Sequence, residues 1–79
     1  MQDVTREIDI TNDVCPMTFV RTRLALDRMA PGEILCIRLK GDEPIRNVPA
    51  NAAAQGHEIL SLETDENGVG RLLLRRGPR

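Results

Sequence analysis

The sequence predicts an α+β protein, a two-layer α/β sandwich in which two helices pack on one face of a four-stranded mixed sheet, in the order βαβαββ. Three observations lead there. Apolar residues alternate along the chain between the period of a strand and that of a helix, in the order strand, helix, strand, helix, strand, strand. The run "EILCIRLK", residues 33–40, places Leu35, Ile37 and Leu39 on one face and the mixed set Ile34, Cys36, Arg38 and Lys40 on the other, as a sheet covered on one side requires. Near the end, "DENG", residues 65–68, joins two strand-like runs and marks a hairpin.

Each element has its own justification. "REIDI", residues 6–10, alternates polar and apolar and puts Ile8 and Ile10 on one face; "TND" then supplies turn chemistry. From Pro16 to Ala30 there is no glycine and no interior proline, which predicts a helix centred on Val20, Leu24 and Ala25 with Met17 nearby. Phe19, Leu26 and Met29 widen its apolar surface, and Pro31 and Gly32 stop it. After the strand 33–40, a second helix is predicted from about Pro44 to Gln55, with Ile45, Val48 and Ala52 at helical spacing. Pro49 should kink or restart it, and Gly56 is a natural left-handed stop. "HEILSLET" and "GRLLLRR" are the last two strands, with Asn67 and Gly68 favouring a tight turn between them. The "RGPR" tail is expected to fray.

Composition excludes several classes of function. At 79 residues and 41% hydrophobic, residues 1–79 are expected to form a single domain. The net charge is −1 despite arginines at 21, 23, 28, 71, 75, 76 and 79, and Phe19 is the only aromatic residue, so direct nucleic-acid binding is not expected. No apolar run approaches the roughly 20 residues of a membrane span, and "MQDVTREIDI" lacks the basic-then-apolar order of a signal peptide; the expected location is cytoplasmic, with no membrane partner. Two cysteines there should be reduced thiols, and with His57 they still fall short of a four-ligand zinc site, so neither metal nor cofactor is expected. Nothing matches a phosphate loop, a Ser/His/Asp set or a paired-carboxylate site.

The chemistry concentrates at "DVCPMT", residues 13–18. Proline is favoured at the first helical position, which would make Pro16 that position and Cys15 the N-cap. A sulfur there would face the positive end of the helix dipole and the free N–H groups of the first turn, which favour thiolate over thiol. Free cysteine is also often a small, buried and inert residue. From the dipeptide alone, both readings stand.

The chain also resembles a known family, the TusA/SirA-like sulfur carriers, over nearly its whole length. The resemblance rests on a first strand ending shortly before "CP" at Cys15 and Pro16, a helix closing in "MAPGE", then a strand, "DEP", "VP" and "GHEILSLE", in this order and spacing. It implies a βαβαββ fold in which the cysteine of a Cys-Pro-X-Pro motif takes up a persulfide sulfur from a donor protein and hands it to an acceptor protein. Carried over, Cys15 is the persulfide carrier and Pro16 the helix-starting proline, while Thr18 stands where the family has its second proline. Thr18 restores a backbone donor at a position an N-cap side chain usually bonds, and adds a hydroxyl; the expectation is preserved thiolate stabilisation with altered rigidity and an altered surface for partners. The implied donor is a cysteine desulfurase or rhodanese-like protein. The resemblance thus implies a sulfurtransferase-type relay between proteins rather than a free-standing enzyme with a small-molecule pocket. The competing reading is a non-catalytic regulatory or protein/RNA interaction module on the same fold.

Other candidates are weaker. Arg21, Arg23 and Arg28 read first as a solvated helix face, although Arg21 or Arg23 would favour a thiolate within ~4 to 6 Å, or form a docking patch for an acidic partner. Cys36, mid-strand, reads as a packing residue before a resolving thiol. His57, opening a strand after Gly56, reads as a polar surface residue before a general base.

Overall fold

The structure, a computed structural model, describes residues 4–14 and 16–78. Strands β1 (Arg6–Asp9), β2 (Ile34–Lys40), β3 (Glu58–Thr64) and β4 (Val69–Arg75) alternate with helices α1 (Met17–Asp27) and α2 (Asp42–Ala54) in the expected order βαβαββ. The strands form one sheet ordered β1-β2-β4-β3. β1 runs parallel to β2, a pairing that needs the crossover α1 provides, and the other two pairings are antiparallel. The mixed sheet with two helices on one face is therefore observed.

Register divides the strands into two faces. Ile8, Ile37, Leu72 and Leu62 lie opposite one another in one row. In the next row, on the other face, stand Asp9, Arg38, Arg71 and Glu63, carboxylates on the edge strands and guanidiniums on the central ones. The first face carries the core: Leu35, Ile37, Leu39, Leu72 and Leu74 are fully buried against Ala25, Leu26, Met29, Val48 and Ala52. The second is open and charged, and on it Arg75 pairs across strands with Glu58 at 2.9 Å. Such exposed pairs contribute little stability, and what they do is keep this face hydrated.

The inward face of α1 differs from the expected one. Thr18, Thr22, Ala25 and Leu26 are its buried residues, whereas Met17, Val20 and Leu24 are exposed at 46%, 42% and 53%. Thr22 fits because its hydroxyl donates to the Thr18 carbonyl at 2.8 Å, so its hydrogen-bonding demand is met within the helix. The small side chains of both threonines face the sheet while the larger Leu26, Met29 and Phe19 fill the space around them.

α2 starts at Asp42, two residues earlier than predicted, since Asp42 and Glu43 suit the positive end of a helix and Pro44 falls in the first turn, where an N–H is dispensable. It runs through Pro49 without a break. α2 lies tightly on β4 at Gly70, where a Cβ would stand 3.2 Å from Ile45 Cγ1. The β3–β4 turn is closed by Asp65, whose Oδ1 accepts from the N–H groups of Asn67 (2.8 Å) and Val69 (3.0 Å), with Gly68 at φ 79.

The tail is anchored, not frayed, through residues 76 and 77. The Arg76 N–H donates to the Glu33 carbonyl at 2.8 Å, and the Arg76 Nε donates to the Leu26 carbonyl at the end of α1 at 2.7 Å. The Gly77 N–H donates to His57 Nδ1 at 2.9 Å. Among the described residues, no helix is long and apolar enough to cross a membrane.

Candidate functional site

The site is built where β1 hands over to α1. Asp9, the last residue of β1, accepts from the N–H (2.9 Å) and the hydroxyl (2.6 Å) of Thr11, closing a turn that starts the loop. These two bonds, the hydroxyl first, lower the Asp9 pKa below its usual value. The Asp13 N–H then donates to the Ile10 carbonyl at 3.1 Å, and the Met17 N–H to the Val14 carbonyl at 2.8 Å. An ion pair of 2.6 Å between Asp13 and Arg21 ties the loop to the second turn of the helix. Every one of these bonds is local in sequence, and together they fix the chain on both sides of residue 15.

Pro16 is the N-cap residue of α1, with φ −93 and ψ 7, and Met17 is the first helical residue. The helix therefore starts one residue later than predicted. The Pro16 carbonyl accepts from Phe19 and Val20, both at 3.1 Å, so the first turn is half 3₁₀ and half α. The expectation that Cys15 is itself the N-cap falls on a residue outside those described.

Beside the loop lies an open cleft of about 470 Å³, bounded by Asn12, Val14 and Phe19 on one side and by Lys40, Pro44 and Asn47 on the other. Thr18 also lines it but is only 1% exposed. Thr18 is thus a packing residue of the first turn, and the expected change in a partner-facing surface does not come from its side chain. Arg21 is engaged by Asp13, so its first role is holding the loop.

The structure sets the other two candidates apart. His57 sits beside Arg23, Asp27 and Arg76, at the end of α1 remote from Pro16, roughly 15 Å along a helix axis of this length. That distance excludes direct proton transfer to a group at the start of α1. Burial, and then the charge of Arg76, lower the His57 pKa below 6.5, and its neutral Nδ1 accepts from Gly77. The unfolded chain therefore takes up the proton more readily. The stabilisation is complete above the unfolded value near 6.5 and is lost as pH falls from there through the folded value. Thermal melts from about pH 7.5 to about pH 5 should show a steeper loss in wild type than in His57→Asn; equal slopes would contradict it.

Cys36 is completely buried on the open face of the sheet, away from α1, and Arg71 Nε donates to its sulfur at 3.2 Å. That bond raises the already high pKa of Arg71, with Glu7 and Glu63 adding to the effect. Among the described residues, no group of three or more His, Cys, Asp or Glu side chains is placed to hold a metal ion.

The family model described as Sulfurtransferase TusA matches residues 6–76. The chain belongs to the TusA sulfurtransferase family. Its relatives in that family include a protein of Archaeoglobus fulgidus, provisionally named a sulfur carrier protein, which is 43% identical over 71% of this chain. The match spans 64% of that relative's length, just under two thirds. A Thermotoga maritima protein with the same provisional name is 37% identical over 76% of each chain. The TusA-type fold is also that of a SirA-like protein from Desulfitobacterium hafniense, with a TM-score of 0.79 at 23% identity, covering 92% of this chain and 99% of that one.

What the sequence did not suggest is the cleft, and Asn12, Lys40 and Asn47 as residues facing it. They lie on three separate segments, the β1–α1 loop, the end of β2 and α2, and each is an ordinary polar residue in its local context.

Proposed function

We propose that this TusA-family chain is a sulfur carrier that holds a sulfane sulfur on Cys15 as a persulfide and passes it from a donor protein to an acceptor protein. In loading, the Cys15 thiolate attacks the terminal sulfur of a donor persulfide. The S–S bond of the donor breaks, its thiolate leaves, and Cys15-S-SH forms with no net oxidation or reduction. Delivery is the same exchange with the acceptor thiolate as nucleophile.

The observation that carries this reading is the match to the family along residues 6–76, together with an open cleft near the start of α1 that Val14, Thr18 and Phe19 help to line. A helix N-terminus favours a thiolate, and a cleft gives a partner's sulfur a path. The cleft is open to solvent, which suits exchange with a group carried by a partner protein.

Intact mass after incubation with inorganic polysulfide tests the loading step. A gain of one sulfur atom per chain is expected, removable by a thiol reductant. An unchanged mass would favour a non-catalytic interaction module.

Thr18 offers a second test. With a backbone N–H in the first turn and a buried side chain, Thr18→Pro should fold but gain no reactivity. Alkylation rates of Cys15 against pH should show a midpoint in the proline variant no lower than in wild type. A markedly more reactive variant would mean that threonine weakens the site.

A further inference from the structure

Beyond β4, residues 76–78 cross the end of the helix layer remote from Pro16 as a strap without an apolar anchor. Leu74 is the last residue of the buried core, and Arg76, Gly77 and Pro78 lie outside it. A segment that buries no core side chain can come away without opening the core.

The attachments of the strap are polar and few. The Arg76 backbone extends the pairing of β4 with the chain before β2, donating to the Glu33 carbonyl at 2.8 Å and accepting from the Gly32 N–H at 2.9 Å. The Arg76 guanidinium donates to the carbonyls of Leu26 (2.7 Å) and Gly77 (2.9 Å). Past Arg76, among the described residues, one hydrogen bond ties the strap to the rest of the molecule, from the Gly77 N–H to His57 Nδ1 at 2.9 Å. The fit there is close. A Cβ on Gly77 would run into the Gly56 carbonyl, so the strap lies directly on the α2–β3 turn.

That single bond carries a condition. A backbone N–H can only donate, so Nδ1 holds no proton, and an imidazolium, a donor at both nitrogens, cannot keep Gly77. The surrounding charges decide where a protonated ring would turn. Arg76 on the strap opposes a charge on the ring, while Asp27, the last residue of α1, favours it. Arg23 of α1 lines the same hollow, α2 adds only the uncharged Ala54 and Gln55, and Glu58 on β3 is held by Arg75. Both helices end beside the ring, and the negative ends of two helices favour a cation.

We propose that His57 is the catch of a pH-operated strap: neutral, it holds Gly77 on the α2–β3 turn; protonated, it turns to Asp27 and releases the chain beyond Arg76 while the core stays closed. Release uncovers the turn at Gly56 and frees the guanidinium of Arg76 from the Gly77 carbonyl. The device stands apart from the sulfur chemistry and does not depend on it.

Nuclear magnetic resonance on the isotope-labelled chain reads catch and strap together. His57 is the only histidine, so its ring signal gives the titration directly. Between about pH 7.5 and about pH 4.5 the order parameter of the Gly77 amide should fall from about 0.85 to below about 0.6, with the midpoint of the ring titration. The amide of Leu72, in the core, should keep its value. His57→Asn offers an uncharged acceptor at every pH and should hold Gly77 ordered throughout. In Asp27→Asn the midpoint should move to lower pH, because the protonated ring loses its partner. A Gly77 amide that stays ordered while the ring titrates, or that is released in His57→Asn as in wild type, would overturn the proposal. So would a midpoint that Asp27→Asn leaves unchanged, or a ring that takes up no proton above about pH 4.5. Loss of order at Leu72 together with Gly77 would also overturn it, since that is unfolding of the domain and not release of a strap.

Discussion

Cys15→Ser is expected to abolish sulfur loading, whereas Cys36→Ser should load to within about twofold of wild type, because only a thiolate that a donor can reach serves as nucleophile. A serine hydroxyl cannot form a persulfide, so the first substitution removes the reaction and does not merely slow it. The second rests on geometry. Cys36 is fully buried at mid-strand, on the sheet face opposite the helices, under the Arg71 guanidinium. No donor persulfide reaches it unless the side chains covering it, Arg71 among them, move aside. A serine there keeps an acceptor for Arg71, so the variant should remain folded, and a thermal melt checks this. Intact mass with polysulfide decides between the two sites. Loading that survives Cys15→Ser and disappears in Cys36→Ser would reverse the assignment.

Leu72→Ala should cost about 3 kcal/mol, as truncating a fully buried leucine typically does, and lower the melting temperature by roughly 12–24 °C in a chain of this size. Leu72 is fully buried on a central strand, opposite Ile37 on β2 and Leu62 on β3. A domain this small has only about 4–12 kcal/mol of stability, so the loss is a large share of the total. A denaturant midpoint that falls with an unchanged slope is the expected signature. Leu24→Ala is the control: at 53% exposure it should change stability by less than about 0.5 kcal/mol. If the two substitutions cost the same, the orientation of α1 is wrong.

That contrast shows how far sequence reasoning reached. The strands were legible because alternation fixes a face once one side is buried: Leu35, Ile37 and Leu39 face the core as their spacing required. The hairpin was legible from Asn67 and Gly68, since a left-handed glycine in a short turn is a local demand. The inward face of α1 was not. Ala25, Leu26 and Met29 are buried as expected, but Val20 and Leu24 are more apolar than Thr18 and Thr22, and hydropathy alone put them inward in place of the threonines. At the site, Pro16 was legible as a residue that opens a helix, and it does so one position earlier than expected, as the N-cap instead of the first helical residue. The ion pair Asp13–Arg21 places Arg21 as a brace for the loop, a role its membership of an arginine cluster did not reveal.

By itself, then, the sequence determined the order of elements, the faces of the strands, the turns and the start of α1 to within one residue, all of which follow from interactions among residues close along the chain. The tertiary structure decided the rest. It set Thr18 and Thr22 inward and left Met17, Val20 and Leu24 exposed, and it joined Asn12, Lys40 and Asn47 around one cleft. It also closed the end of α1 with Arg76, which donates to the carbonyl of Leu26 fifty residues earlier in the chain. Such contacts depend on which surfaces meet once the sheet has formed, and no local pattern records that.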